Sequence, residues 1–217
     1  MKKALLSTLA AVLVVLLQGW IAPAAKANSI VWQTPVAINT NDPTQVLTNG
    51  VVLVASDTIT PYTVNGVSFS GTLDTLVTNF TNEGSATPAT GTNYAKMLAS
   101  GMYRQSGATA TIHITSLTIG KLYEVELFTP FWNADFESKF SDGANSVPMG
   151  NTAAVPTLVV GTFTADTTTK LISFDAVSPT GSFGLLSAFQ VLAVPEPASG
   201  VLLALGSLVA LRRRRSA

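Results

Sequence analysis

The stretch between Asn28 and Val194 predicts an all-β protein, an antiparallel β-sandwich or jelly roll. Three observations carry that expectation. Threonine, valine and serine abound there, and no long helical periodicity runs through it. Turn signals recur at short intervals: Asn41-Asp42-Pro43, Asn49-Gly50, Asn65-Gly66, Gly120-Lys121 and Asp142-Gly143. Period-2 alternation is clean in "ATATIHITSLTIGKLYEVELFTP", where Ala108, Ala110, Ile112 and Ile114 alternate with Thr109, Thr111 and His113.

The elements follow in chain order. "YTVNGVSFS", Tyr62 to Ser70, reads as strand, Asn-Gly turn, strand. "NYAKMLASGMY" departs from the β pattern, because Tyr94, Met97, Leu98 and Met102 approximate helical spacing; a short helix or turn is expected there. Beyond Gly120, Tyr123, Val125 and Leu127 alternate with Glu124 and Glu126. The runs on either side of that glycine are therefore expected to form a hairpin with one buried and one wet face. "TLVVGTFTA" and "TKLISFDAV", joined across Asp166-Thr167-Thr168, predict a second pair. "GLLSAFQVLAV" reads as a final core strand.

The two ends fall outside this fold, so the chain divides into 1–27, 28–193 and 194–217. At the start, Lys2 and Lys3 precede an apolar run from Ala4 to Leu17. Ala25-Lys26-Ala27 then places small residues where a signal peptidase cleaves, before Asn28. The apolar run is short of the ~20 residues a permanent span needs, so a cleaved signal and export are expected. At the other end, Pro195-Glu196-Pro197 precludes regular helix and favours an extended strip. Ala198 to Leu211 follows, apolar apart from two serines and two glycines. As a helix at about 1.5 Å per residue it would reach roughly 21 Å, marginal for a bilayer core of about 30 Å. Arg212, Arg213, Arg214 and Arg215 would stay on the cytoplasmic side. The body would then lie outside, with an accessible strip at the membrane surface.

This three-part tail is very similar to the PEP-CTERM sorting signal. The resemblance implies that an integral-membrane exosortase recognises Pro195-Glu196-Pro197 and processes the chain nearby. It also implies a Gram-negative bacterium that makes exopolysaccharide. The protein would be held transiently at the inner membrane and then reach the cell envelope, biofilm or extracellular matrix. The body, through "VNGVSF", "LTIGKLYEVELF" and "VGTFTAD…ISFDA", resembles exported galactose-binding-like or carbohydrate-binding sandwiches. That second resemblance points weakly to sugar.

Composition narrows the chemistry. The chain has 217 residues, of which only 11% are charged, and no cysteine, so disulfides, thiolate metal sites and cysteine nucleophiles are excluded. Between Asn28 and Val194 five basic residues face eleven acids, a net −6 that argues against nucleic acid as a partner. His113 is the only histidine and sits on the polar parity of its strand, which excludes His-rich zinc sites. The pairs Glu124/Glu126 and Asp135/Glu137 have spacing a glycosidase acid and base would tolerate. The loop Pro130 to Ser146 mixes Phe131, Trp132, Phe136 and Phe140 with Asp135, Glu137, Asp142 and Asn145. Phe131, Trp132, Asp135 and Glu137 are candidates for sugar stacking and hydrogen bonding. Asp142 and Asn145 are weak candidates for calcium, outside any EF-hand spacing.

No cofactor is expected. The leading expectation is a non-enzymatic, exported envelope or matrix protein, with polysaccharide as its candidate ligand and signal peptidase and exosortase as its processing partners. A small matrix polysaccharide hydrolase and a structural or adhesive protein with a protein partner are the alternatives.

Overall fold

The computed structural model describes residues 29–57, 60–80, 82–85, 91–105, 107–131, 136–151, 155–177 and 183–195. Ala25, Ala27, Trp132, Asp135, Glu196, Pro197 and Arg212 to Arg215 lie outside the described residues, and so do the helices expected at the two ends.

The chain runs through β1 (Val31–Trp32) and β2 (Val36–Ala37) into a short 3-10 turn at Pro43–Gln45. Asp42 caps that turn by accepting the Thr44 N–H at 3.1 Å. Then come β3 (Val51–Asp57), β4 (Tyr62–Val64), β5 (Val67–Phe69), a helical turn Leu73–Leu76, β6 (Val77–Thr78) and β7 (Asn82–Ser85). A five-residue helix, Asn93–Met97, leads into β8 (Ser100–Gln105), β9 (Ala110–Ile114) and β10 (Leu122–Phe128). The series ends with β11 (Phe136–Ser141), β12 (Ser146–Asn151), β13 (Thr157–Thr164), β14 (Lys170–Ala176), β15 (Phe183–Leu186) and β16 (Ala188–Ala193).

Two antiparallel sheets form the sandwich, as the composition and periodicity predict. One has the order β1-β13-β10-β16-β3, with β2 also on β13; the other has the order β12-β11-β14-β9-β6. A small sheet, β15-β8-β7, and the hairpin β4-β5 complete the body. The hairpin turns through Asn65 (φ 49°) and Gly66 (φ 78°), the paired positive φ values that favour Asn-Gly. The short helix is also where expected. Thr92 caps it by accepting the Ala95 N–H at 3.2 Å, and Tyr94, Met97, Leu98 and Met102 are all buried.

Both other expected hairpins are absent. β9 pairs with β14 and β10 pairs with β13, so the links Thr115–Lys121 and Ala165–Thr169 arch from one sheet to the other. Period-2 alternation says that a strand has one core face; it does not say which strand lies beside it. The two arches instead bind each other, through Leu117 N–H to Thr168 O (3.1 Å) and Gly120 N–H to Ala165 O (2.7 Å). Tyr123 locks the first arch: its hydroxyl accepts the Thr118 N–H at 2.8 Å, as in the tyrosine corners of Greek-key sandwiches. The closing run "GLLSAFQVLAV" also divides. At Ser187 it leaves the small sheet and enters the large one, with the serine hydroxyl donating to Met97 O at 2.7 Å.

One face of the first sheet packs on the second sheet. Tyr123, Val125, Leu127, Phe163, Phe189 and Val191 meet Ile112, Phe140, Phe174 and their neighbours. Each large side chain so buried contributes about 1.5–3 kcal/mol relative to exposure. The opposite face was expected to be wet, yet a second core covers part of it. Val46, the β4-β5 hairpin and the short helix pack there on Phe128, Leu158, Val160 and Ala188. Phe128 meets Phe69 and Tyr94 edge-on, at 5.9 and 6.2 Å between centroids. Glu126, expected on a wet face, is consequently 0% exposed.

Gly184 marks the tightest passage in the small sheet. A Cβ there would lie 2.7 Å from Asp175 C and 2.8 Å from Asp175 O, both backbone atoms of β14. Gly184→Ala is expected to destabilise the body by about 1–3 kcal/mol, the usual effect of overpacking, read as a lower urea midpoint at unchanged slope.

Candidate functional site

The sandwich has two poles, and the candidate residues divide between them. β10 runs from Leu122 at one end to Phe128 at the other, a rise of roughly 20 Å at about 3.4 Å per residue. Beyond Phe128 lies Phe131, and β11 of the opposite sheet begins at Phe136. Phe131 is half-buried against the second core, and its N–H donates to Leu98 O at 2.8 Å. Glu137 is half-buried on β11, where its carbonyl accepts the Val177 N–H at 3.0 Å. The structure thus brings Phe131 and Glu137 to this same pole, while Trp132 and Asp135 lie outside the described residues.

Asp142 and Asn145 belong to the other pole and do a different job. Asp142 Oδ1 accepts the N–H groups of Ala144 and Asn145 at 3.1 and 2.8 Å. Its Oδ2 accepts the Ile30 N–H at 2.6 Å and the Lys170 ammonium at 2.9 Å. Asn145 Nδ2 returns a hydrogen bond to Ile30 O at 2.9 Å. The pair therefore ties Ile30, just before β1, to the turn between β11 and β12. A carboxylate already saturated by four donors, one of them an ammonium, is not a calcium ligand, and the calcium expectation gives way to a structural one. Burial alone would raise the Asp142 carboxyl. The Asn145 N–H, the Lys170 ammonium and the Ile30 N–H outweigh it and hold the group below the ordinary carboxylate value.

Two further carboxyls, which sequence reasoning left on a wet surface or did not single out, are buried in the first sheet. Glu126 Oε2 accepts the Gln190 amide at 2.5 Å and the Leu47 N–H at 3.2 Å; its Oε1 and the Gln190 Oε1 have no hydrogen-bond partner. Burial pushes Glu126 up to about 7 against the lowering effect of those two donors. Asp57, 1% exposed, has neither oxygen partnered and is likewise pushed up to about 7 by burial. Raised carboxyls can serve as general acids only where substrate reaches them. Glu126 lies beneath the hairpin and helix that cover the sheet, so Glu124 and Glu126 do not form the glycosidase pair their spacing allowed. The signal that would have found Glu126 is its cross-strand partner Gln190, invisible until the register was known. His113 lies on the outer face of the second sheet, its Nε2 3.0 Å from the Thr78 hydroxyl, as its parity predicts. Among the described residues no group of three or more His, Cys, Asp or Glu is placed to hold a metal.

The tail leaves from the near pole. Ala193 pairs with Tyr123 and with Val51, and the Val194 N–H donates to Leu122 O at 3.0 Å. Val51, Gly120, Lys121 and Leu122 line a shallow groove there, together with Ala193, Val194 and Pro195. Pro195, the first residue of the sorting tripeptide, is exposed. Among the described residues no helix is long and apolar enough to cross a membrane.

Comparison with known proteins bears on the body and on the tail separately. The plant receptor-like kinase ANX2 has a similar fold, with a TM-score of 0.50 at 14% identity over 66% of this chain. The ANXUR1 extracellular domain from Arabidopsis thaliana aligns with a TM-score of 0.49 at 14% identity over the same share. The chain spans 42% of the length of each of those two proteins. The CBM22-1 xylan-binding domain from Paenibacillus barcinonensis Xyn10C aligns over its whole length and 70% of this chain, with a TM-score of 0.38 at 14% identity. No curated protein matches the sequence. The model of the PEP-CTERM protein-sorting motif matches residues 193–215, beginning where β16 ends. The chain is accordingly an antiparallel β-sandwich carrying at residues 193–215 the PEP-CTERM protein-sorting motif, which marks exported proteins for processing by exosortase.

Proposed function

We propose that the body is a non-enzymatic polysaccharide-binding sandwich of the Gram-negative cell envelope or extracellular matrix, released to its site by exosortase after signal peptidase has removed the leader. The observation that carries the reading is the separation of the poles. Phe131 and Glu137, the described candidates, lie at the end of the sheets opposite Pro195. A sorted protein held by its tail would present that end outward, and the sequence between these residues supplies Trp132 for stacking and Asp135, with Glu137, as hydrogen-bond acceptors for sugar hydroxyls. The non-enzymatic part is supported by the burial of Glu126 and Asp57, which keeps from contact with a polymer the two carboxyls that, among the described residues, are raised toward neutral pH.

The test is retention of purified protein on immobilised polysaccharides and on a glycan array. Wild-type protein is expected to be retained, and Trp132→Ala to bind at least about tenfold more weakly, the equivalent of losing about 1.4 kcal/mol of stacking. Retention of wild-type and Trp132→Ala protein alike would move the site off this loop. Retention on no glycan would overturn the reading, and release of reducing sugar from the polymer would replace it with a hydrolase.

A further inference from the structure

We infer that the near pole of the sandwich is a membrane-docking surface, which lies on the bilayer while the tail is still held there. The second core that covers the first sheet stops short of this pole. Beyond it, Val51 is 71% exposed, Ile119 63%, Leu122 44% and Val52 41%. Val51 and Leu122 line the groove from which the tail departs, Val52 and Ile119 adjoin its lining residues in the chain, and Pro195 extends the same apolar surface. Ionic groups are sparse here. Lys121 and Asp166 are the exposed charges of the two arches, and they offset each other; Lys170 is spent on Asp142, and Glu124, two residues along β10 from Leu122, is half-buried. Exposed aliphatic side chains clustered at one tip, with almost no net charge, fit the headgroup–acyl boundary better than they fit water.

The length of the connection identifies the bilayer as the occupant. Only Glu196 and Pro197 stand between Pro195 and Ala198, where the apolar run begins. Even fully extended, three peptide units reach about 10 Å. An inserted run therefore brings the Val51–Ile119–Leu122 tip within that distance of the lipid surface, and no other face of the sandwich is so constrained. Docking fixes the orientation of the body as well as its distance. The Val194–Pro195 strip is then held against the surface from which a membrane-embedded processing enzyme reaches it. The inference rests on the reading that residues 198–211 insert, and the experiment separates the two.

The chain has no cysteine, so one introduced cysteine is a unique labelling site. The full chain is reconstituted at one copy per nanodisc, in phosphatidylcholine with and without brominated acyl chains. An environment-sensitive fluorophore is placed singly at Ser207→Cys in the tail, Ile119→Cys at the tip, or Val155→Cys at the far pole. Quenching by bromolipid is expected at 207 and at 119, by about half or more at 119 if the tip sinks about 5–10 Å, and not at 155. A probe at Lys121→Cys should likewise be quenched, and should lose most of that quenching when Ile119→Ser and Leu122→Ser are added. No quenching at 207 would defeat the insertion reading, and docking with it. Quenching at 207 without quenching at 119 would defeat docking alone. Shielding of 119 that needs two chains per disc would assign the face to a second copy of the protein and overturn the inference.

Discussion

Asp142→Ala is expected to destabilise the body by about 3–5 kcal/mol, the usual consequence of stranding one partner of a buried ion pair. The Lys170 and Asp142 side chains are 7% and 0% exposed, with 2.9 Å between Nζ and Oδ2. Removing the carboxylate leaves an ammonium in the core with the Phe163 ring, 5.7 Å from its centroid, as a remaining stabilising contact among the described residues. It also frees the Ile30 N–H, and with it the strap that holds β1 on β13. Most of the loss should be recovered in Asp142→Ala/Lys170→Met, because that pair removes the buried ammonium as well as the carboxylate. Urea unfolding of the two single variants and the double variant measures this; strictly additive losses would show that the pair is not coupled. The pH dependence has a definite sign. The folded carboxyl titrates below its unfolded value of about 3.9, so the contribution is complete above that value and disappears as pH falls through the folded one.

How this residue reads from sequence and from structure shows where each kind of reasoning has force. Asp142-Gly143 is legible as a turn from its residue types, and Gly143 does adopt φ 89°. That the same aspartate reaches Ile30 and Lys170 is not legible, because both contacts join elements far apart in the chain whose proximity only the topology creates. The strands are legible for a similar reason: alternation reports one core face, and Ala110, Ile112 and Ile114 are indeed buried. Pairing is a property of two strands together. The links after β9 and β13 could turn back within a sheet or arch across the sandwich with the same side chains inward, and here they arch. Alternation also hides a second covering layer. Glu124 and Glu126 look like a solvated edge until the β4-β5 hairpin and the short helix are placed over that face. The sorting motif was fully legible, being read from contiguous residues by a processing enzyme and not from the fold. The stretch between Phe131 and Glu137 was legible only as a composition of aromatic and acidic residues.

The covered face leads to the other large effect, a loss of stability with rising pH between about 4.5 and 7. Glu126 and Asp57 both titrate near 7 in the folded protein, against about 4.3 and 3.9 when unfolded. Through that window the folded state holds protons that the unfolded state has released, so stabilisation is complete below the unfolded values and is lost as pH rises through the folded ones. Each unit is worth about 1.4 kcal/mol per carboxyl, which makes the combined loss from pH 5 to pH 7 on the order of 2–5 kcal/mol. The geometry supplies a reason for the proton at Glu126. Gln190 donates to Oε2, while Glu126 Oε1 and Gln190 Oε1 are two buried acceptors without a donor. A proton on Oε1 provides that donor and closes a reciprocal acid–amide pair. Glu126→Gln preserves the pairing with an amide at every pH, so it should cut the slope of stability against pH roughly in half and raise the urea midpoint at pH 8. Gln190→Leu should do the opposite, leaving the carboxyl buried with only the Leu47 N–H and lowering the midpoint most strongly above pH 7. Urea midpoints at pH 5, 6, 7 and 8 distinguish the cases. A Glu126→Gln slope equal to that of the wild type would mean that Glu126 ionises freely in the folded body, and would refute the acid–amide pair.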